Sequence, residues 1–303
     1  MTLTPRQLDV LRLLRRYFYL RTSQIRDRVI PHDGDGTMTR GVLRKLQAAE
    51  LIRRYQPKMI DPLSGSTAPI FVLTIKGSAV LATETSDCSN LLIVQPNFSD
   101  WLSLNHYCAL GGIHMAIDDA LAAQTSAKMT ALYFEHEVVQ PDADDPAKRF
   151  HLYTVTCPAP RVVVCPDTAF EIEFSGHRRA WYVEREMGSD TPARVAAKKF
   201  KGYAGLAATG FYRRHFPEAR DFRVLAFCPN ANWRDALRRE MKQKEGAELW
   251  LFCSSLDVTA SSFLSQEILF TADKGPFAFL PRTPAASPGA EKQADRPTVV
   301  IKR

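Results

Sequence analysis

The chain has 303 residues, 45% of them hydrophobic, enough for a sizeable core and for two domains. No apolar run approaches the roughly 20 residues that a membrane span needs, and the N-terminal stretch MTLTPRQLDVLRLLRRY interrupts its apolar residues with charge. A soluble, cytoplasmic protein with no membrane partner is therefore expected.

The net charge of +7 lies entirely in residues 1–86, which hold 14 Lys/Arg against 7 Asp/Glu, while the remainder holds 26 of each sign. A basic first segment beside a balanced second one points to a polyanion, most economically nucleic acid. The six cysteines, at 88, 108, 157, 165, 228 and 253, contain no C-x-x-C pair. That pattern fits reduced, buried thiols better than a disulfide framework or zinc.

Thr4-Pro5-Arg6-Gln7 reads as a capping box with proline at the first helical position, and Leu8, Leu11, Leu14 and Phe18 follow at helical spacing. A turn at Leu20-Arg21 precedes Thr22 or Ser23 as the cap of a short helix bearing Ile25, Val29 and Ile30, which Pro31 ends. Thr37 or Thr39 opens a third helix with Val42, Leu43, Leu46, Ala49 and Leu51 inward. Leu51–Tyr55 and Pro69–Leu73 are strand-like, joined by a turn-rich tip, and a fourth helix runs from about Lys76 to Thr83. Helix, short helix, helix and a two-stranded wing describe a winged helix-turn-helix over residues 1–85. Thr37, Thr39, Arg40, Arg44 and Lys45 are its expected groove contacts, and Arg53, Arg54 and Lys58 would meet phosphates from the wing.

Residues 86–102 read as a connector, followed by a helix from Leu104 to about Ala123. His106 and His114 on that helix suit packing or hydrogen-bonding roles. Ala131–Val139 reads as a strand carrying Glu135 and Glu137 around His136, and either glutamate would serve a metal site or an exposed strand face. Farther on, Phe222–Phe227 is a strand, Trp233–Lys244 a basic amphipathic helix and Leu249–Phe252 another strand. Residues 103–282 thus form a mixed α/β domain, and the Pro- and Ala-rich residues 283–303 read as a disordered tail.

The stretch that carries chemistry is RVVVCPDTAFEIEFSGHRRAWYVEREMGSDTPARVAAKKFKGY, residues 161–203. The run Val162–Val164 ends on Pro166-Asp167, and Ala180–Val183 ends on Glu184-Arg185-Glu186, so two buried strands would deliver carboxylates to one end of a sheet. Oxygen donors at that spacing suit Mg²⁺ or Mn²⁺. A helix opened by Asp190 or Thr191, with Pro192 just inside, places Lys198, Lys199 and Lys201 nearby. Solvated strand-end glutamates and a solvated lysine face account for the same residues, and Glu171 and Glu173 offer a competing E-x-E pair.

This arrangement resembles the PD-(D/E)XK nuclease core. In that family the Asp after Pro and the first Glu of the second strand hold the metal, and a Lys two residues later orients or activates water. Asp167 and Glu184 match, whereas Glu186 stands where the family has Lys. The resemblance holds if the lysine has migrated to the following helix, as in some branches of that family, and Lys199 is then the choice because it and Tyr203 are four apart on one face.

Over residues 4–255 the winged helix, the L-x-H linking helix, the PD, the E-x-acid and the K-x-x-x-Y helix are together similar to the replication-relaxation family. That resemblance implies a bacterial mobile-element setting and double-stranded DNA as partner, with other replication or mobilisation proteins and a homodimer also in view. In the active version Asp167, Glu184 and Glu186 bind Mg²⁺ or Mn²⁺, Lys199 stabilises phosphate or water, and the chain nicks DNA. Tyr203 would hydrogen-bond in that site or act as a nucleophile. The alternative is a non-enzymatic winged-helix transcription or replication regulator whose nuclease-like domain serves dimerisation or docking, and a third reading is an adaptor that positions a separate enzyme.

Overall fold

The computed structural model describes residues 2–56, 68–85 and 101–280. Expectations for Lys58, for residues 86–100 of the connector and for the tail 283–303 lie outside the described residues.

Helix α1 spans Pro5–Tyr17 behind the expected capping box: Thr4 N–H donates to Gln7 Oε1 at 2.8 Å and Gln7 N–H donates to Thr4 Oγ1 at 3.4 Å. Strand β1 is Leu20–Arg21, α2 Thr22–Val29, α3 Thr37–Ala48, β2 Ile52–Tyr55, β3 Ile70–Leu73 and α4 Ile75–Thr85. Leu20-Arg21 is a strand rather than a turn, pairing antiparallel with β3 in the order β1-β3-β2, and Arg21 rather than Thr22 or Ser23 caps α2. Two residues carry no periodicity of their own, so only the open edge of β3 decides their state.

Helix α5 spans Trp101–Ala122, so Trp101 and Leu102 belong to a helix rather than to a connector. Then follow β4 Ala127–Phe134, α6 Pro146–Arg149, β5 Thr154–Pro158, β6 Arg161–Val164, β7 Thr168–Phe174, β8 His177–Arg185, α7 Pro192–Thr209, α8 Tyr212–His215, β9 Asp221–Cys228, α9 Ala231–Met241 and β10 Trp250–Ser254. Five strands form a mixed sheet in the order β10-β9-β8-β7-β4, with β8, β9 and β10 parallel and β4, β7 and β8 antiparallel neighbours.

Three strand expectations are corrected. The sequence reading passes over β7, the centre of the hairpin. Its partner turn is Ser175-Gly176, with φ of 49° and 75°, the pair of left-handed residues that a tight two-residue hairpin turn requires. The run Val162–Val164 is a strand, but it pairs only with β5, in a separate two-stranded ribbon. Both edges of β7 are already filled, by β4 and β8, so β6 packs on α7 instead. Gly202 permits that approach: a Cβ there would lie 2.7 Å from Val164 Cγ2. Finally, β4 ends at Phe134, so Glu135 and Glu137 sit in the turn beyond it rather than on an alternating strand face.

Strand alternation divides the apolar residues between two faces of the sheet. Ala180, Tyr182, Val224, Ala226, Trp250 and Phe252 pack with Val195, Tyr203 and Leu206 of α7 and with Leu237 and Met241 of α9. Phe170, Ile172, Trp181, Val183, Leu225 and Phe227 belong to a second core that continues through α5 into the N-terminal elements as far as Leu3. Polar contacts fasten the same seam. Arg16 grips Asp118 through Nε and Nη2 at 2.6 Å each, Tyr17 donates to Asp118 Oδ2 at 2.5 Å, and Arg28 grips Asp119 at 2.5 and 2.6 Å. Part of the N-terminal positive charge is therefore spent on α5.

His136 is buried on that seam against Phe18, Tyr107 and Phe134, with both ring nitrogens lacking a hydrogen-bond partner among the described residues. Burial holds His136 and His215 down to about 3 and His114 down to about 4. A histidine kept neutral in the fold binds no proton between these values and 6.5, whereas the unfolded chain does, so stability falls as pH drops below 6.5. Replacing His136→Phe should flatten that fall by about 1.4 kcal/mol per pH unit between pH 6 and 4. Urea denaturation across that range would show it, and an unchanged slope would refute it.

Candidate active site

The β7–β8 register sets the site. Thr168 lies opposite Val183, so Asp167, just before β7, and Glu184, near the end of β8, reach the same end of the sheet. Asp167 N–H donates to Val183 O at 3.1 Å, and its carboxylate accepts from Arg185 N–H at 2.6 Å through Oδ2. Its Oδ1 lies 3.2 Å from His106 Nε2 on α5. The convergence of carboxylates is as expected, but Asp167 begins a strand of the sheet instead of following one.

Helix α7 supplies the other half. Thr191 caps it, accepting from Arg194 N–H, and Pro192 occupies the first turn. One turn apart on its inner face, Lys199 and Tyr203 meet the glutamates. Lys199 Nζ donates to Glu184 Oε2 at 2.5 Å and to Glu186 Oε1 at 2.9 Å, and Tyr203 O–H donates to Glu184 Oε1 at 2.5 Å. Lys198 turns away to Asp190 at 2.7 Å, and Lys201 is exposed. Successive helical positions point about 100° apart, so the inner face of α7 accommodates one of the three lysines.

The electrostatics follow from burial. Burial raises Asp167, but the hydrogen bond and charge of His106, the charge of Lys199 and the Arg185 N–H outweigh it, leaving its carboxyl below the ordinary range. Glu184 is pushed up to about 7, because burial and repulsion from Asp167 exceed the pull of Lys199 and Tyr203. Burial, with repulsion from Asp167 and Glu184, pushes Glu135 up to about 8. Lys199 loses by burial and gains more from Glu184, Asp167 and Glu186, so it is held firmly protonated. Burial first, then Glu184, raises Tyr203 well above its ordinary value. As a buried donor to Glu184 it is suited to positioning and unsuited to nucleophilic attack.

The donor chemistry fits a hard dication. Asp167, Glu184 and Glu186 offer oxygen only, and the mutual repulsion among Asp167, Glu184 and Glu135 is what such an ion would relieve. In the arrangement seen, Lys199 supplies the balancing charge, and among the described residues no three His, Cys, Asp or Glu side chains form a ready-made cage.

The competing pair is occupied elsewhere. Glu171 is buried and accepts from Thr130 Oγ1 at 2.6 Å, and Glu173 pairs with Arg178 at 3.3 Å. His114 is likewise structural, 2.7 Å from Thr168 Oγ1. Sequence reasoning passed over Arg185, whose amide orients Asp167, and left Glu135 between a metal site and an exposed strand face, whereas His106 takes the hydrogen-bonding role expected of it. The one available cue for Arg185 was its position between two expected ligands.

Of the expected nucleic-acid contacts, Thr37, Arg40, Arg44, Lys45, Arg53 and Arg54 are exposed. Thr39 is corrected. It is 1% exposed, and its hydroxyl and amide both donate to buried Asp33, at 2.6 and 2.7 Å. It anchors the start of α3 and cannot reach a groove.

Removing Lys199 while leaving Glu184 buried should be costly. Lys199→Met is expected to lose about 3 kcal/mol in urea denaturation. Combining it with Glu184→Gln should return part of that loss, and equal losses in the single and double variants would contradict the pairing.

A model of the family described as Replication-relaxation matches residues 11–218, more than half of the chain. No curated protein matches the chain. Among solved structures, the restriction endonuclease FokI is similar at 10% identity with a TM-score of 0.27, over 84% of this chain and 42% of that enzyme. The chain thus spans less than half the length of that enzyme. Among the described residues no helix is long and apolar enough to cross a membrane.

Proposed function

The chain belongs to the replication-relaxation family, and from that membership we propose a DNA-binding protein of plasmid or mobile-element replication or mobilisation that nicks double-stranded DNA in a divalent-metal-dependent reaction. The observation that carries this reading is the meeting of Asp167, Glu184, Glu186 and Lys199 at one end of the β7–β8 hairpin. Residues 1–85 act as a winged helix that presents α3 to the major groove through Thr37, Arg40, Arg44 and Lys45, with Arg53 and Arg54 of β2 toward phosphates. Residues 103–282 act as a nuclease-like domain of the PD-(D/E)XK kind.

Asp167, Glu184 and Glu186 would hold Mg²⁺ or Mn²⁺, which when bound supplies positive charge to phosphate oxygens and acidifies water. The protein groups have separate tasks. His106 and the Arg185 amide fix the Asp167 carboxylate, and Tyr203 fixes Glu184. Lys199 keeps its proton and directs it toward developing negative charge or an attacking water.

A second, non-enzymatic reading, a regulator using this fold for docking or dimerisation, is favoured by one observation: Lys199 already balances both glutamates. Divalent metal discriminates the two. In the enzymatic reading Mg²⁺ or Mn²⁺ at 100 times its Kd stabilises the fold by about 2.7 kcal/mol, Asp167→Asn abolishes the gain, and supercoiled plasmid becomes open circles unless Asp167→Ala or Glu184→Ala is present. Intact plasmid with no metal-dependent stabilisation would sink that reading. The groove assignment has its own test: Arg44→Ala should weaken duplex binding and reduce the slope of log affinity against log salt by about one. An unchanged slope and affinity would remove α3 from the interface.

A further inference from the structure

Two arginines approach the Asp167 end of the sheet from opposite sides of the seam. Arg21 comes from the junction of β1 and α2 in the N-terminal unit, and Arg185 ends β8. Strand alternation puts Arg185 on the same side of the sheet as Trp181 and Val183, the side that packs on α5 and the N-terminal elements, while Glu184 faces α7. One chain of contacts joins the two arginines. Arg21 Nη2 donates to Asn105 Oδ1, Asn105 neighbours His106 on α5, His106 Nε2 lies 3.2 Å from Asp167 Oδ1, and Arg185 N–H donates to Asp167 Oδ2 at 2.6 Å.

Neither guanidinium forms an ion pair among the described residues, although Arg16, Arg28, Arg178, Arg179, Arg234 and Arg238 all do. Arg21 is satisfied by a neutral amide. Arg185 meets the Met187 sulfur, a poor acceptor, and its Nε is buried with no partner among the described residues. Two half-buried cations with neutral or missing partners are a poor use of arginine in a structure that pairs its other seam arginines bidentately. The unused donors suit a tetrahedral anion.

We propose that Arg21 and Arg185 form a phosphate clamp, built jointly by the N-terminal unit and the sheet, that seats a nucleic-acid backbone phosphate beside Asp167. The N-terminal unit then does more than bring DNA near: it supplies one jaw of the site. This assignment rests on the nucleic-acid reading for its natural ligand, and its chemistry is tested without that reading.

Inorganic phosphate is the first probe, titrated into the full chain and followed by ³¹P NMR and thermal stability, with a ten-nucleotide single strand as the second. Saturable binding is expected, weakened about tenfold or more in Arg21→Gln and in Arg185→Gln and unchanged in Arg220→Gln. Asn105→Ala separates a docking role from a binding one. It releases Arg21 from α5 but keeps the charge, so binding should persist, whereas a loss equal to that of Arg21→Gln would mean that Arg21 only holds the seam. If either glutamine variant does not fold, Arg21→Lys and Arg185→Lys keep the charge, remove the fork and should still weaken binding. No saturable binding by the wild type, or equal binding in the arginine variants, overturns the clamp. Phosphate binding that depends on both arginines, without plasmid nicking in Mn²⁺, keeps the clamp and discards the nickase.

Discussion

A half-buried lysine whose ammonium is shared by two glutamates governs the end of the sheet. Lys199 spans Glu184 and Glu186, residues two apart on β8 and its extension, and Tyr203 takes the remaining oxygen of Glu184. Without that cation three carboxylates would face one another with little water, an arrangement whose desolvation alone costs several kcal/mol per charge. Its balance also fixes how α7 lies on the sheet, because Lys199 and Tyr203 enter from one helical face while Val195 and Leu206 pack on the strands. Electrostatics and packing thus place the same helix.

Helix α5 does the corresponding work on the other face. Asp118 and Asp119 receive Arg16 and Arg28, Asn105 receives Arg21, and His106 and His114 reach Asp167 and Thr168 at the start of β7. One helix therefore holds the N-terminal elements and orients a carboxylate of the site. A change in how the N-terminal unit sits would be felt at Asp167 through a short, continuous run of contacts.

The seam also bears on how charge should be counted. The excess of positive residues in the first 86 is a fact of sequence, but Arg16 and Arg28 are neutralised by α5. The exposed remainder, which includes Arg40, Arg44 and Lys45 of α3 and Arg53 and Arg54 of β2, is the part available to a polyanion.

The amino-acid sequence by itself determined the capped start of α1, the start of α7 at Thr191-Pro192, the succession of N-terminal helices and strands, and the gathering of Asp167, Glu184 and Lys199. The caps and helices rest on nearest-neighbour effects, namely capping, proline geometry and periodicity within one element, and the grouping of Asp167, Glu184 and Lys199 rests on strand ends and on the resemblance to the nuclease core. Tertiary structure alone decided the rest. It made Leu20-Arg21 a strand because β3 had an open edge, and it excluded β6 from the main sheet because β4 and β8 had filled both sides of β7. It buried Thr39 on Asp33 and brought His106 to Asp167 across 61 residues of chain. Each of these depends on which distant surface a residue meets, and local spacing carries no information about that.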